Sequence, residues 1–202
     1  MRLGRASLPI LALATGPSVL PAQSPPFTND DLVGEWWSGG CRRTQLAETG
    51  EPVFLERRYQ YSLTNYVVRY SFFGDEGCRR PLYGFVATGP YELGRTRPGL
   101  ANTREATIFI DSMFYVAESE AGRRALGACG RRLTIGAFKD VTETGCADFP
   151  PRRECIGDYE LFRVEAGVFY PGLRTPDMCR PEGRPRATQT TGAAKQRGGP
   201  TG

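Results

Sequence analysis

Tyr66-Val67-Val68-Arg69-Tyr70-Ser71-Phe72-Phe73 follows the run from Val53 to Ser62 after only Leu63-Thr64-Asn65. Two runs rich in β-branched and aromatic residues, joined by three residues, predict a β-hairpin. Strand residues alternate between faces, so Tyr66, Val68, Tyr70 and Phe72 share one face, with Arg69 and Ser71 opposite. In the preceding run Val53, Leu55, Tyr59 and Tyr61 share a face with Arg57.

Working outward, Val33 to Ser38 reads as a first strand, Leu82 to Leu93 as a strand with Gly89-Pro90 as a candidate break, and Glu105 to Val116 as one long strand. In that last run Ala106, Ile108, Ile110, Ser112 and Phe114 are expected on one face. Glu118 to Ala128 is rich in Ala, Glu, Arg and Leu and predicts the one short helix. Leu133 to Val141 reads as a weak strand, and Gly157 to Glu165 and Val168 to Tyr170 as closing strands. Six or more antiparallel strands with short turns predict an all-β fold, a closed barrel or a sandwich.

The chain has 202 residues, 40% hydrophobic and 24% charged, an ordinary globular balance. It has no histidine, which excludes Ser-His-Asp and Cys-His catalysis and His-ligated zinc or haem. Lys139 and Lys195 are its two lysines, so Schiff-base chemistry has two candidates. No G-K-[ST] phosphate loop occurs, and no spacing among the scattered carboxylates selects an acid–base pair. The expectation is a protein without enzymatic activity, cofactor or metal.

Residues 1–22 read as an export signal: Arg2 and Arg5, then the apolar run Leu8 to Ala14, then Ala22 at the cleavage position. Residues 23–31 form a short linker and 32–180 the folded domain. Residues 181–202, poor in large apolar side chains, read as a disordered tail. From Arg180 onward Arg180, Arg184, Arg186, Lys195 and Arg197 stand against Glu182 alone. The domain itself is close to neutral, so nucleic-acid binding has no electrostatic support. No later stretch is long and apolar enough for a transmembrane anchor. Six cysteines without a C-x-x-C motif predict three disulfides among Cys41, Cys78, Cys129, Cys146, Cys155 and Cys179. Cys41 and Cys78 are placed to bridge neighbouring strands, with the other four pairing in the C-terminal half. A secreted protein is the expected product, with cell-surface association as the alternative.

Large aromatic inward faces with hydroxyls suit a barrel enclosing an apolar ligand; tyrosine hydroxyls at the mouth of a filled barrel are the other reading. The expected pocket residues are Leu55, Arg57, Tyr59, Tyr61, Val68, Tyr70, Phe72, Phe85, Ile108, Ile110 and Phe162. Arg57 is either the polar fixer of a ligand or the partner of a buried acid or tyrosine.

Gly34-x-Trp36 matches the G-x-W pattern that opens lipocalin-type barrels. There the tryptophan plugs the closed end under an arginine of the last strand, here Arg163. The wider set resembles the adenomatosis polyposis coli down-regulated (APCDD) domain family. It comprises Gly34-x-Trp36 with Ser38 and Gly40-Cys41, Phe54-x-x-Arg57-x-Tyr59, the Tyr70/Phe72/Phe73 run with Cys78, Pro81-x-Tyr83, and Leu161-x-Arg163-Val164-Glu165. The resemblance implies a lipocalin-like barrel that binds Wnt proteins or their acyl chain and inhibits Wnt signalling. Family members carry paired domains and a membrane span, whereas this chain shows one domain and no span. A small-hydrophobic-ligand carrier or a structural module unrelated to Wnt are the alternatives.

Overall fold

The structure, a computed structural model, describes residues 26–46, 50–147 and 149–196; the expected export signal lies outside them. Eleven strands are present in the described residues: β1 (Gly34–Trp37), β2 (Arg42–Gln45), β3 (Pro52–Tyr61), β4 (Asn65–Phe73), β5 (Pro81–Thr96), β6 (Thr103–Phe109), β7 (Ser112–Ala117), β8 (Lys139–Asp140), β9 (Gly157–Glu165), β10 (Val168–Pro171) and β11 (Ala193–Lys195). A four-residue turn of helix, α1 (Asn29–Leu32), precedes β1, and α2 (Glu120–Ala125) and α3 (Gly127–Gly130) lie between β7 and β8. Eight strands close a ring in which every pair is antiparallel, in the order β3–β4–β5–β6–β9–β10–β11–β1 and back to β3. Closure leaves the ring without an unpaired edge. Strand β2 pairs with β3 beyond the end of β1, and β7 pairs with β5 beyond the end of β6.

The β3–β4 hairpin is the one expected, with Leu55 opposite Phe72, Arg57 opposite Tyr70, Tyr59 opposite Val68 and Tyr61 opposite Tyr66. Strand β5 runs unbroken through Gly89-Pro90. Tyr91 donates its N–H to Thr64 on the β4 side. By alternation, the N–H that Pro90 lacks would point into the gap between β6 and β7, where no ladder bond is made. Gly89 is required here by close approach, since a Cβ would sit 2.0 Å from the Phe109 carbonyl oxygen.

The run Glu105–Val116 is two strands, not one. The chain turns at Ile110-Asp111, where Ile110 donates to the Ile156 carbonyl (3.0 Å) and Asp111 to that of Thr88 (2.9 Å). Neither Gly nor Pro stands at the corner to mark it. The corner also resets the alternation. Ala106 and Ile108 face inward as expected, but beyond it Met113, Tyr115 and Ala117 pair with the inward Ala87, Phe85 and Tyr83, and Ser112 and Phe114 face outward. The expected single helix is likewise two, divided at Leu126, and Leu133–Val141 contributes only β8 and an isolated bridge at Ile135.

The expected disordered tail is corrected most strongly. Residues 181–196 are ordered against the barrel, and β11 within them closes the ring between β1 and β10. A three-residue strand closes it through backbone hydrogen bonds, which no side-chain hydropathy reports. Three disulfides hold the domain: Cys41–Cys78, Cys129–Cys146 and Cys155–Cys179. Such bonds persist in oxidising compartments. Among the described residues no helix is long and apolar enough to cross a membrane.

Candidate ligand site inside the barrel

The G-x-W end of the barrel is packed solid. Trp36 is 1% exposed, and its indole N–H donates to the Leu32 carbonyl at 2.8 Å. Phe169 stands at its centre, with ring centroids 5.9 Å from Trp36, 5.2 Å from Tyr59, 5.5 Å from Tyr61 and 4.9 Å from Phe162. Most of these pairs are edge-to-face, the arrangement aromatic quadrupoles favour. Tyr61 and Phe162, expected to line a pocket, meet each other at 5.8 Å and fill the barrel instead. The cation on Trp36 is Lys195, whose ammonium lies 5.1 Å from the ring centroid. Arg163, expected there, sits at an outward position of β9. Its guanidinium stacks 3.8 Å from the Tyr170 ring and pairs with Glu165. The reason is register: Phe162 and Val164 take the inward positions on β9, so Arg163 between them must face out. Gly34 stands with φ +127°, where a Cβ would meet the Lys195 side chain at 3.0 Å, which explains the glycine of the motif.

The opposite half of the interior is polar as well as aromatic. Arg57, Tyr59, Tyr70, Phe72 and Phe85 converge there from β3, β4 and β5, with Leu55 beside Phe72. Arg57 donates from a terminal guanidinium nitrogen to the Gln189 side-chain carbonyl, and Gln189 in turn donates to the Gly172 carbonyl at 3.1 Å. No carboxylate among the described residues pairs with Arg57, so the arginine is not the partner of a buried acid. Its Nε is buried without a hydrogen-bond partner, and the buried Tyr59 hydroxyl makes no hydrogen bond of ordinary geometry, although the Tyr70 hydroxyl lies close enough to interact with it. Two other buried tyrosines bond to backbone: Tyr66 donates to the Phe109 carbonyl (3.1 Å) and Tyr91 to that of Ser62 (2.9 Å).

Strand β9 contributes Asp158 and Glu160, two of the scattered carboxylates that no spacing singles out. Placing Phe162 inward already implies both, since they lie two and four residues before it on the same face. Asp158 pairs with Arg174 at 3.0 Å. One oxygen of Glu160 accepts the N–H groups of Leu161 and Gly172, each at 3.2 Å. Burial, reinforced by the neighbouring Asp158 charge, pushes the Glu160 carboxyl up to about 8. Glu160 therefore holds a proton at neutral pH.

This half is roofed by two cross-linked segments. Phe149 stacks on Phe85 with centroids 4.1 Å apart, and Arg174 lies 4.9 Å above the Phe149 ring. The Cys129–Cys146 bond ties the Phe149 segment to α3, and Cys155–Cys179 ties the Arg174 segment to the approach to β9. Gln189, Phe149 and Arg174 come from loops whose position on the barrel no periodicity gives.

Of the remaining expected pocket residues, Val68 is buried opposite Tyr59, and Ile108 is half-buried opposite Tyr91 and Asp158. Ile110 lies at the β6–β7 corner. There it borders an outer cleft of about 490 Å³ with Pro90, Phe109 and Ile156, and not the Arg57 cluster.

Neither protein-family models nor curated proteins show a match to this chain.

Proposed function

We propose that this protein is a lipocalin-like binding protein, working outside the cytosol, that takes a long-chain acyl group into the Arg57 half of its barrel. The observation that carries the reading is the set of buried polar groups left unsatisfied among aromatic walls, Arg57 Nε and the Tyr59 hydroxyl. A barrel built only as a structural module gains nothing from burying such groups, because each unmet donor costs about 1–3 kcal/mol. Binding sites for small molecules have this make-up, apolar and aromatic walls with a few polar groups that orient the ligand. Each methylene taken from water contributes about 0.8 kcal/mol, so an acyl chain supplies its own driving force.

The APCDD resemblance directs the proposal toward a Wnt-type protein carrying such an acyl chain, and toward inhibition of Wnt signalling. A carrier of small hydrophobic molecules unrelated to Wnt uses the same barrel. Titration of a fluorescent fatty acid tests the shared reading. Saturable binding to the wild type, lost in a folded Val68→Asp variant, is the expected result. Absence of saturable binding, or equal binding to both proteins, returns the barrel to a structural role. Capture of an acylated Wnt-type protein, but not of its deacylated form, tests the partner.

A further inference from the structure

We propose that the barrel selects a free carboxylate head group, held by Arg57 Nε and the Tyr59 hydroxyl, so that its ligand is a fatty acid rather than an acyl ester. This inference rests on the barrel-binding reading above and, because an acyl chain attached to a protein has no free carboxylate, selects the carrier of small hydrophobic molecules over the acylated protein partner.

Arg57 and Tyr59 are two residues apart on one face of β3, with Tyr70 of β4 directly opposite the first and diagonal to the second. Tyr59 is 4% exposed, and its ring meets that of Tyr70 edge-on at 6.1 Å. Both unsatisfied atoms are donors, and a carboxylate accepts hydrogen bonds on both oxygens. The only hydrogen-bond partner of the Arg57 side chain among the described residues is a neutral amide. A part-buried guanidinium with no counter-charge is an unfavourable arrangement that an anionic ligand relieves. Two other buried unpartnered donors, Trp37 Nε1 and Arg163 Nε, belong to outward-facing side chains, with Arg58 over the Trp37 ring and Arg163 itself stacked on Tyr170. They form no convergent pair.

The acids nearby do not oppose an anionic head. Asp158 is engaged by Arg174, and Glu160 is protonated at neutral pH. Beyond the head group, Leu55 and Phe72, both partly exposed, offer apolar surface to the chain, and Phe85 lies beneath the Phe149 ring.

The test uses cis-parinaric acid and its methyl ester, whose fluorescence rises in an apolar site. Both are titrated at pH 7 into the wild type and into Tyr59→Phe and Arg57→Met variants checked for folding by near-ultraviolet circular dichroism. Charge-assisted hydrogen bonds predict that the wild type binds the acid about tenfold to a hundredfold tighter than the ester. Each variant is expected to reduce that ratio, Arg57→Met the more. Should Arg57→Met fail to fold, the isosteric Tyr59→Phe decides alone. Equal binding of acid and ester by the wild type overturns the carboxylate assignment while leaving the barrel reading intact. An unchanged ratio in a folded Tyr59→Phe variant removes Tyr59 from the site and likewise overturns it. Binding of neither probe overturns the barrel reading itself.

Discussion

Lys195 lies with its ammonium 5.1 Å from the ring centroid of Trp36 and donates to the Asp31 carbonyl at 3.0 Å. One lysine, from the last strand, thus ties together the first strand, the helical turn before it and the plug of the barrel. Trp36→Ala is expected to cost about 3–5 kcal/mol, as for other large buried aromatics. Lys195→Ala is expected to cost only about 0.5–2 kcal/mol, the range of a cation–π contact. Chemical denaturation of the two variants checks the order; equal losses would show that the cation and not the ring closes this end.

Strand β11 makes its position testable by truncation. Ending the chain at residue 190 removes β11 and leaves β1 and β10 with unpaired edges. Exposed edges invite pairing with other chains. The shortened protein is therefore expected to melt at lower temperature and to self-associate, as read by thermal unfolding with light scattering. Unchanged melting would place closure elsewhere.

Glu160 gives stability a pH dependence of known sign. Its carboxyl is pushed up to about 8 in the folded state, against an ordinary value of 4.5. The folded protein therefore binds a proton more readily than the unfolded chain. The stabilisation is fully present below about pH 4.5, falls as pH rises toward about 8, and is lost above that. Glu160→Gln should remove this slope and raise stability at pH 8 and above by roughly 3–5 kcal/mol, since the side chain is buried. Urea denaturation of both proteins from pH 5 to pH 9 measures the difference; parallel curves would disprove the buried, protonated carboxyl.

The disulfides predict a chemical count. Thiol titration of the denatured, unreduced protein is expected to find no free thiol. Replacing Cys155 and Cys179 together by serine is expected to cost about 2–4 kcal/mol by freeing the unfolded chain. It should also loosen the segment bearing Arg174, which amide hydrogen exchange at residues 172–179 would register.

Gly89 tests the corner that sequence alone conceals. A Cβ at this position meets the Phe109 carbonyl oxygen at 2.0 Å, so the β6–β7 corner must move away from β5 to admit even alanine. Gly89→Ala is expected to destabilise by about 1–3 kcal/mol, the range of overpacked cores. A neutral effect would mean that the corner yields freely.

The β3–β4 hairpin was readable because its two runs alternate cleanly and are joined by three residues, so pattern and turn length agree. Arg57, Tyr59, Tyr70 and Phe72 were legible as inward residues for the same reason. Arg163 was misplaced because a motif assigned it to Trp36 while the period of two, applied to Phe162, already sent it outward. Ile110 was misplaced because the corner beside it carries neither Gly nor Pro. The tail escaped notice because β11, Ala193-Ala194-Lys195, offers little apolar surface to a hydropathy reading.

The sequence by itself determined the strand-rich class, the inward faces of β3 and β4, the role of Gly34 and Trp36 at one end, and the availability of six cysteines for three bonds. Those features are local, since side-chain alternation and backbone freedom act within a few residues. Tertiary structure alone decided how the ring closes, which cation covers Trp36, and which groups surround Arg57. Gln189 lies 132 residues from Arg57, and Lys195 lies 159 from Trp36. Contacts at such separations are set by strand register around a closed barrel, in which every backbone pairing fixes the next, and no short stretch of the chain records that constraint.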